Sequence, residues 1–224
     1  MEPSNMHKNI LRTLFVHINN LMTQPYYIHH LRWKIARGDQ TKRESVSLSP
    51  NALVFDGGGY RGEWTESIYN KFASQIFVFE PIAEYADVIR NKFQGNDDIQ
   101  IFQFGLGKQN EKINISIGED GSSVFKNSGA STAIDIKDIK EVLDQADIEA
   151  VDLLKLNIEG GEYAVLDRLI ETGYISKINQ LHVQFHHFVD DAKNKRRSIR
   201  NALKQTHECE WNYPFVWESW KIKQ

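Results

Sequence analysis

The sequence DGGGYRG at residues 56–62 decides the fold, and it follows a short apolar run at residues 52–55. Gly57, Gly59 and Gly62 satisfy the spacing G-x-G-x-x-G, and residues 62–74 have the pattern of a helix. Glycines at the end of a strand let the backbone turn tightly and approach a ligand closely. A strand, a glycine turn and a helix in this order are typical of a site for a nucleotide-type cofactor.

Apolar runs alternate with helical patterns along the rest of the chain. Strands are predicted at residues 52–56, 75–80, 99–104, 151–157 and 178–188, and helices at residues 62–74, 81–93, 161–172 and 190–206. Strands that are apolar throughout are buried on both faces, which indicates an α/β fold with a parallel sheet between helices. Residues 111–117 predict a further strand at an edge and residues 118–130 a mobile loop, and residues 210–222, where aromatic and polar residues alternate, are expected to complete the sheet.

Residues 1–50 are predicted to form a helical extension and linker in front of a domain at residues 51–224. Between residues 6 and 22, apolar side chains recur at every third or fourth position, which is typical of an amphipathic helix. A second short helix is expected to end near Gly38, and the polar residues after it resemble a linker. We expect the extension to pack on the domain; a lid over the site or a dimer contact is the alternative.

The composition is that of an ordinary globular protein. Of the 224 residues, 41% are hydrophobic and 25% are charged, and the formal net charge is -3. A mildly acidic chain has no general field that attracts nucleic acid or an anionic membrane. The single cysteine, Cys209, cannot form an internal disulfide, and no apolar run approaches the roughly 20 residues of a membrane helix. The N-terminus also lacks a basic segment followed by an apolar one, so we expect a cytoplasmic protein without nucleic-acid or membrane partners.

Glu80 ends the second predicted strand, at the position from which an acidic residue binds a ribose diol. A dinucleotide would need its pyrophosphate at the helix N-terminus, where Asp56 beside the glycines is unfavourable. S-adenosylmethionine has no phosphate, and its ammonium and sulfonium groups suit Asp56. None of the tyrosines has a lysine four residues later, as a short-chain reductase would require. The sequence therefore favours S-adenosylmethionine, with an NAD(P)-dependent oxidoreductase as the alternative.

Together with residues 56–62 and 79–81, the sequence VDLLKLNIEGGE at residues 151–162 resembles the FkbM-type methyltransferases, a branch of the class I S-adenosylmethionine-dependent enzymes. The likeness covers residues 50 to 190. It implies a Rossmann-like, mostly parallel seven-stranded sheet with one antiparallel strand and helices on both faces. It also implies methylation of an oxygen in a sugar, glycan or small hydroxylated metabolite. Because Asn157 stands where the family usually has aspartate, a catalytically degenerate cofactor-binding protein is a further alternative.

The resemblance also implies a cofactor site. Asp56, Gly58 and Gly62 would shape the cofactor loop, Glu80 would hold the ribose hydroxyls, and Gly105 and Leu106 would border the adenine. Gly57, Tyr60 and Pro81 belong to the same motifs and complete the predicted cofactor site. Trp64, one turn into the first helix, is expected near the methionine end of the cofactor.

A hydroxyl acceptor benefits from a general base. Glu159 and His186 are the main candidates, with His187 as a third, since all three are predicted near the carboxyl edge of the sheet. The alternative role for Glu159 is to cap the next helix. Asn157 can hydrogen-bond the substrate or the cofactor's amino group, but an amide cannot act as a base. No metal site is predicted, because His182 and His186 would lie about 13 Å apart on a strand that rises ~3.3 Å per residue.

Overall fold

The computed structural model describes residues 26–118, 121–123 and 131–223, together with the single positions 16, 20, 23 and 24. The amphipathic helix predicted at residues 6–22 lies outside these ranges, so it stays a prediction. The helices are α1 (Tyr27–Ile35), α2 (Gly38–Thr41), α3 (Glu63–Phe72), α4 (Ala83–Lys92), α5 (Ile139–Gln145), α6 (Glu162–Glu171) and α7 (Ala192–Thr206), with a 3-10 turn at Tyr174–Lys177. The strands are β1 (Leu53–Gly57), β2 (Gln75–Phe79), β3 (Ile99–Phe102), β4 (Gly105–Gly107), β5 (Glu111–Gly118), β6 (Gly121–Ser123), β7 (Ser131–Asp138), β8 (Leu153–Leu156), β9 (Gln180–Val183), β10 (His207–Tyr213) and β11 (Trp217–Ile222).

A seven-stranded sheet in the order β10-β11-β9-β8-β1-β2-β3 organises the described chain. The five strands from β9 to β3 pair in parallel. β11 runs antiparallel to both of its neighbours, β9 and β10. This topology confirms the predicted α/β fold, with a mostly parallel sheet of seven strands of which one is antiparallel.

Helices cover both faces of this sheet because successive residues of each strand point to opposite sides. Val54 packs with Ile68 of α3 and Ile89 of α4 on one face. Phe55, the next residue, packs with Leu166 of α6 on the other face. All five of these side chains are fully buried, and burial of a side chain of this size stabilises the fold by roughly 1.5–3 kcal/mol. The apolar strands therefore have the environment that their composition predicts.

A second, four-stranded sheet in the order β4-β7-β5-β6 corrects one prediction. β5 is not an edge strand of the main sheet, since it pairs antiparallel with β7 on one side and β6 on the other. The alternation of residues 111–117 identifies a half-buried strand but does not say which strand it pairs with. The prediction of a loop at residues 118–130 is also wrong in part, because Gly118 ends β5 and Gly121–Ser123 forms β6. The other residues of that predicted loop lie outside the described residues.

The strand predicted at residues 178–188 is shorter in the structure, and the C-terminal stretch contains two strands. β9 ends at Val183, so His182 lies in the strand and His186 in the loop after it, and the two histidines do not share one strand. The C-terminal stretch forms a hairpin of two strands, β10 and β11, which completes one side of the main sheet as predicted. The turn between them contains Phe215 at a φ of 57°.

The described part of the N-terminal extension packs on this hairpin. Trp33 of α1 is buried, and its ring centroid lies 5.8 Å from that of Trp211 and 5.1 Å from that of Tyr213. Glu44, after α2, accepts a hydrogen bond from Ser67 Oγ of α3 at 2.5 Å. The division of the chain near residue 50 stays a prediction. None of the helices in the described ranges is long and apolar enough to cross a membrane.

Candidate functional site

A cavity of about 510 Å³ opens at the carboxyl edge of the main sheet, between the loops that follow β1, β2 and β8. The strand order reverses between β1 and β8, and open α/β sheets bind their ligands at such a reversal. A volume of this size is usual for a small-molecule site, for which roughly 300–1,000 Å³ is typical. The cavity is lined by Gly58, Tyr60, Glu80, Pro81, Ile82, Tyr85, Gly105, Leu106, Ile113, Ile115, Ile134, Ile136, Asn157, Ile158, Glu159 and Gly161.

The glycine loop, residues 56–62, turns directly against the loop after β8. Gly58 has a φ of +82°, and a Cβ atom there would lie 2.1 Å from the carbonyl oxygen of Asn157. Any other residue would therefore be strained and would push the two loops apart. Gly62 also has a positive φ, +75°, and precedes the first residue of α3.

Asp56 does not line the cavity, contrary to what its position before the glycines suggests. It is buried, and its Oδ1 lies 2.7 Å from Nζ of Lys155. Its Oδ2 accepts a hydrogen bond from Thr65 Oγ1 at 2.6 Å. Lys155 is not among the residues predicted from the sequence, although a lysine inside an otherwise apolar strand is a usable signal, because a buried charge needs a counter-ion.

Glu80 is buried at the cavity wall, and each of its carboxylate oxygens accepts one backbone hydrogen bond. Tyr60 N donates to Oε2 at 2.9 Å, and Ile82 N donates to Oε1 at 3.0 Å. Burial raises the pKa of Glu80; the hydrogen bonds from Ile82 and Tyr60 and the charge of Lys155 oppose this shift. An ionised carboxylate can accept about four hydrogen bonds, so Glu80 retains capacity for two hydroxyl donors.

Asn157 follows β8 and lines the cavity. Its Oδ1 atom is buried and has no hydrogen-bond partner within the described ranges. Leaving a buried acceptor unpaired costs about 1–3 kcal/mol, so such an atom requires an explanation. A ligand that donates a hydrogen bond from the cavity would provide one.

Glu159 and His186 are neighbours in the structure, and Glu162, which was not predicted as a site residue, contacts His186. Glu159 lines the cavity at a φ of 50°, and its Oε1 lies 3.7 Å from Nε2 of His186. Nδ1 of His186 lies 3.2 Å from Oε1 of Glu162, which also accepts a hydrogen bond from His186 N at 2.8 Å. Gly160 N donates to the other oxygen of Glu162 at 2.9 Å. His186 itself does not line the cavity, so it reaches the cavity through Glu159.

Glu162 also bears on the capping alternative for Glu159. Glu162 lies in the first turn of α6, is fully buried, and accepts the backbone hydrogen bond from Gly160 N. For Glu159, no hydrogen bond to a backbone amide of the described chain is present. An acidic residue early in a helix usually signals only a favourable interaction with the helix dipole, which is why the sequence does not reveal the contact of Glu162 with His186.

Three further residues predicted for the cofactor site, Gly57, Gly62 and Trp64, do not line the cavity. Trp64 is buried in the core with Ile68, and its ring lies 5.6 Å from Nζ of Lys155. Gly57 packs against Leu156 instead: a Cβ atom at residue 57 would lie 2.9 Å from Cδ2 of Leu156.

His182 and His187, the other two histidines considered from the sequence, do not line the cavity. Burial lowers the pKa of His182 to about 4 and also lowers the pKa of His187. His182 is buried in β9, and the exposed His187 lies against the rings of Tyr26 and Phe215. In the described ranges, no group of three or more His, Cys, Asp or Glu side chains could hold a metal ion.

The second sheet supplies an apolar wall that the sequence analysis did not anticipate. Four isoleucines of β5 and β7 line the cavity beside Ile82 and Leu106; they are Ile113, Ile115, Ile134 and Ile136. Gly105, which also lines the cavity, is needed there because a Cβ atom would lie 2.7 Å from Cδ1 of Ile136. The cavity therefore has an apolar side and a side with the carboxylates of Glu80 and Glu159.

Residues 56–214 match the family described as the methyltransferase FkbM domain. Among curated proteins, none matches the chain significantly. Solved structures with the same fold include a proposed rRNA methylase from Clostridium thermocellum, a proposed methyltransferase from Streptococcus mutans bound to S-adenosylhomocysteine, and TrmK from M. capricolum, also bound to S-adenosylhomocysteine. Each is 10% identical in sequence and covers 84% of this chain. In the same order, the matches cover 94%, 97% and 68% of the other chain, with TM-scores of 0.53, 0.52 and 0.50. At these identities the likeness establishes the fold alone.

Proposed function

The chain belongs to the FkbM family of methyltransferases and uses S-adenosylmethionine, and on that premise we propose that it methylates a hydroxyl oxygen of a sugar, glycan or other small hydroxylated metabolite. The observation that carries the proposal is the carboxylate of Glu159 at the cavity wall, with His186 directly behind it. Family membership also decides against the NAD(P)-dependent oxidoreductase that the glycine loop alone left open.

The cavity fits S-adenosylmethionine on three grounds. Glu80 can accept hydrogen bonds from both ribose hydroxyls while it keeps its two backbone contacts. The unpaired Oδ1 of Asn157 can accept a hydrogen bond from the ammonium group of the cofactor. The isoleucine wall beside Leu106 gives an adenine ring an apolar surface. We propose that Gly58, Tyr60, Pro81 and Gly105 complete this binding site.

The charges around the cavity favour an uncharged acceptor. Of the described residues that line it, the charged ones are Glu80 and Glu159, and none is a lysine or an arginine. A phosphate or carboxylate on the acceptor would meet the carboxylate of Glu159 with no lysine or arginine among these residues to offset it, and such like-charge contacts are unfavourable away from water. A neutral, hydroxylated acceptor avoids that cost, which supports a sugar over a phosphate-bearing nucleic acid.

In the proposed reaction, Glu159 removes the proton of the acceptor hydroxyl as the hydroxyl oxygen attacks the methyl carbon. S-adenosylmethionine supplies that carbon on a sulfonium, so a C–O bond forms while the C–S bond breaks and S-adenosylhomocysteine leaves. The protein also holds the reactants in line, and orientation of this kind is worth roughly 7–11 kcal/mol.

His186 and Glu162 would support the base. Nδ1 of His186 lies 3.2 Å from Oε1 of Glu162, and Nε2 lies 3.7 Å from Oε1 of Glu159. Assigning the Nδ1 proton to the contact with Glu162 would fix the orientation of the imidazole ring behind Glu159.

Label transfer from methyl-labelled S-adenosylmethionine tests the proposal. The acceptors are a panel of neutral monosaccharides, oligosaccharides and polyols, together with matched amino sugars, sugar phosphates and RNA. We expect methyl ethers of neutral acceptors as products, identified by mass spectrometry and NMR. Label found only on nitrogen, on sugar phosphates or on RNA would contradict the proposed acceptor. Binding of S-adenosylhomocysteine without transfer to any acceptor would favour the degenerate, cofactor-binding alternative.

A further inference from the structure

Lys155 is a buried ammonium group directly beneath the glycine loop. It lies in β8 between Leu154 and Leu156, and only 3% of the residue is exposed. A buried ammonium is tolerated only when its protons are paired. Its Nζ donates to Oδ1 of Asp56 at 2.7 Å and to the carbonyl oxygens of Gly57 and Gly58 at 3.2 and 2.7 Å. The three protons of the ammonium therefore have three acceptors.

These contacts set the direction of the peptide units in the loop. In a planar trans peptide the carbonyl and the following N–H point in opposite directions. Because the carbonyls of Gly57 and Gly58 point toward Lys155, the N–H groups of Gly58 and Gly59 point away from it. Gly58 N donates to the carbonyl of Phe79 at 3.0 Å, and Tyr60 N donates to Glu80. Contacts within the protein are therefore sufficient to fix the loop.

Asp56 is committed to the same network. Its side chain is 1% exposed, one oxygen pairs with Lys155, and the other accepts a hydrogen bond from Thr65. The carboxylate is thus screened from the cavity. From the sequence alone, Asp56 was expected to contact the cation of the cofactor. In the structure it is the counter-ion of Lys155 instead.

We infer that Lys155 is a positioning residue for the cofactor: it holds the glycine loop in its binding form before the cofactor arrives, with Asp56 as its counter-ion. A loop that is already ordered loses little freedom on binding, which increases affinity. The inference rests on the family's cofactor and not on the proposed acceptor, so failure of the acceptor screen would leave it standing.

The first test removes both charges together. Lys155→Met alone would leave Asp56 buried and unpaired, so we choose the double variant Asp56→Asn/Lys155→Met, because removing both partners of a buried pair is usually better tolerated than removing one. In a folded double variant we expect the Kd for S-adenosylhomocysteine, measured by calorimetry, to rise about ten-fold or more. Unchanged affinity in a variant that circular dichroism shows to be folded would overturn the inference.

Lys177→Met is the matched control. Lys177 Nζ also donates to a backbone carbonyl, that of Ile148 at 2.9 Å, but it lies before β9 at the opposite edge of the sheet. We expect this variant to keep the wild-type Kd even if its melting temperature falls. A purely structural role for Lys155 would give the same pattern in the double variant, with a lower melting temperature and an unchanged Kd.

The second test uses the wild-type protein and can overturn the inference even if the double variant does not fold. We expect the amides of Gly58 and Tyr60 to be protected from hydrogen exchange without any cofactor, at a level close to that of the β1 amides. Exchange of both amides as fast as in an open loop, with protection only after S-adenosylhomocysteine is added, would overturn the inference.

Discussion

The two loops that frame the cavity differ in how their polar groups are paired. In the glycine loop, Lys155 binds two carbonyls, and Glu80 accepts a hydrogen bond from Tyr60 N. In the loop after β8, Asn157 keeps a buried oxygen that has no partner in the described chain. Each loop contains a non-glycine residue at positive φ, Tyr60 at 51° and Glu159 at 50°, so backbone strain does not separate them.

This difference indicates a division of labour between the loops. A loop whose polar groups are already paired keeps its shape with or without a ligand, which suits binding of a cofactor that is common to many enzymes. An unpaired buried acceptor gains a hydrogen bond only when a ligand supplies the donor. Glu159 lies two residues after Asn157, so we expect the loop after β8 to control the chemistry and the glycine loop to control affinity.

Glu159→Gln should have the largest effect and would confirm this division. We expect kcat to fall about 10²–10⁴-fold, the usual contribution of a general base, because an amide cannot accept the proton. The Kd for S-adenosylhomocysteine, measured by calorimetry, should stay within about two-fold, since it does not depend on a base. Glu171→Gln is the control, because Glu171 is exposed at the end of α6. A loss of cofactor affinity equal to the loss of kcat would show that the two loops do not act separately.

Gly58→Ala, compared with Gly95→Ala, tests the contact between the loops. The two glycines have φ values of +82° and +81°, but a Cβ at Gly58 would lie 2.1 Å from the carbonyl oxygen of Asn157, whereas nothing lies within 4 Å at Gly95. Both variants should lose about 1–2 kcal/mol of unfolding free energy from the left-handed backbone. Only Gly58→Ala must also separate the loops.

We therefore expect Gly58→Ala to weaken binding of S-adenosylhomocysteine by a factor on the order of one hundred, equivalent to about 2.7 kcal/mol. Gly95→Ala should leave binding unchanged. Urea unfolding measures the strain that the two variants share, and calorimetry measures the binding that separates them. Equal affinities would mean that the loops can part without cost to the cofactor site.

The sequence predicts the glycine loop better than it predicts what supports the loop. Residues 56–62 carry a local pattern, and Glu80 follows at the end of the next strand, so short-range spacing is enough to find them. The pair of Asp56 and Lys155 joins residues 99 positions apart. The pairing of β5 with β7 is likewise set by tertiary packing, since an alternating pattern defines a strand and a face but not its neighbour.

Glu159 and His186 show the same limit at the reacting end. Both are candidates from their places after β8 and near β9, because parallel strands bring their carboxyl ends to one edge. Their order relative to the cavity, with Glu159 in front and His186 behind, follows from the end of β9 at Val183 and from the contacts of Glu162. Those contacts depend on side-chain packing, which periodicity does not encode.

The smallest effect that we predict concerns the pH dependence of cofactor binding, and it tests whether Glu80 acts with the glycine loop as an ionised group. Burial raises the pKa of Glu80 above its ordinary value, so protonation begins at a higher pH than for an exposed glutamate. The ribose hydroxyls would donate to the ionised form, so affinity for S-adenosylhomocysteine should fall as the pH falls through this pKa. We expect the rise in Kd to stay below about ten-fold, equivalent to about 1.4 kcal/mol, and to begin at a higher pH than an exposed glutamate would give.

Glu80→Ala isolates that contribution. At about pH 8 this variant should bind S-adenosylhomocysteine about ten-fold more weakly, because charge-assisted hydrogen bonds are worth roughly 1.5–3 kcal/mol. Its Kd should also vary less with pH than that of the wild type. The two proteins differ only at this carboxylate, so any pH dependence that arises elsewhere is common to the two curves. Parallel curves for wild type and variant would show that the pH dependence does not come from Glu80 and would remove Glu80 from the set of residues that bind the cofactor through charge.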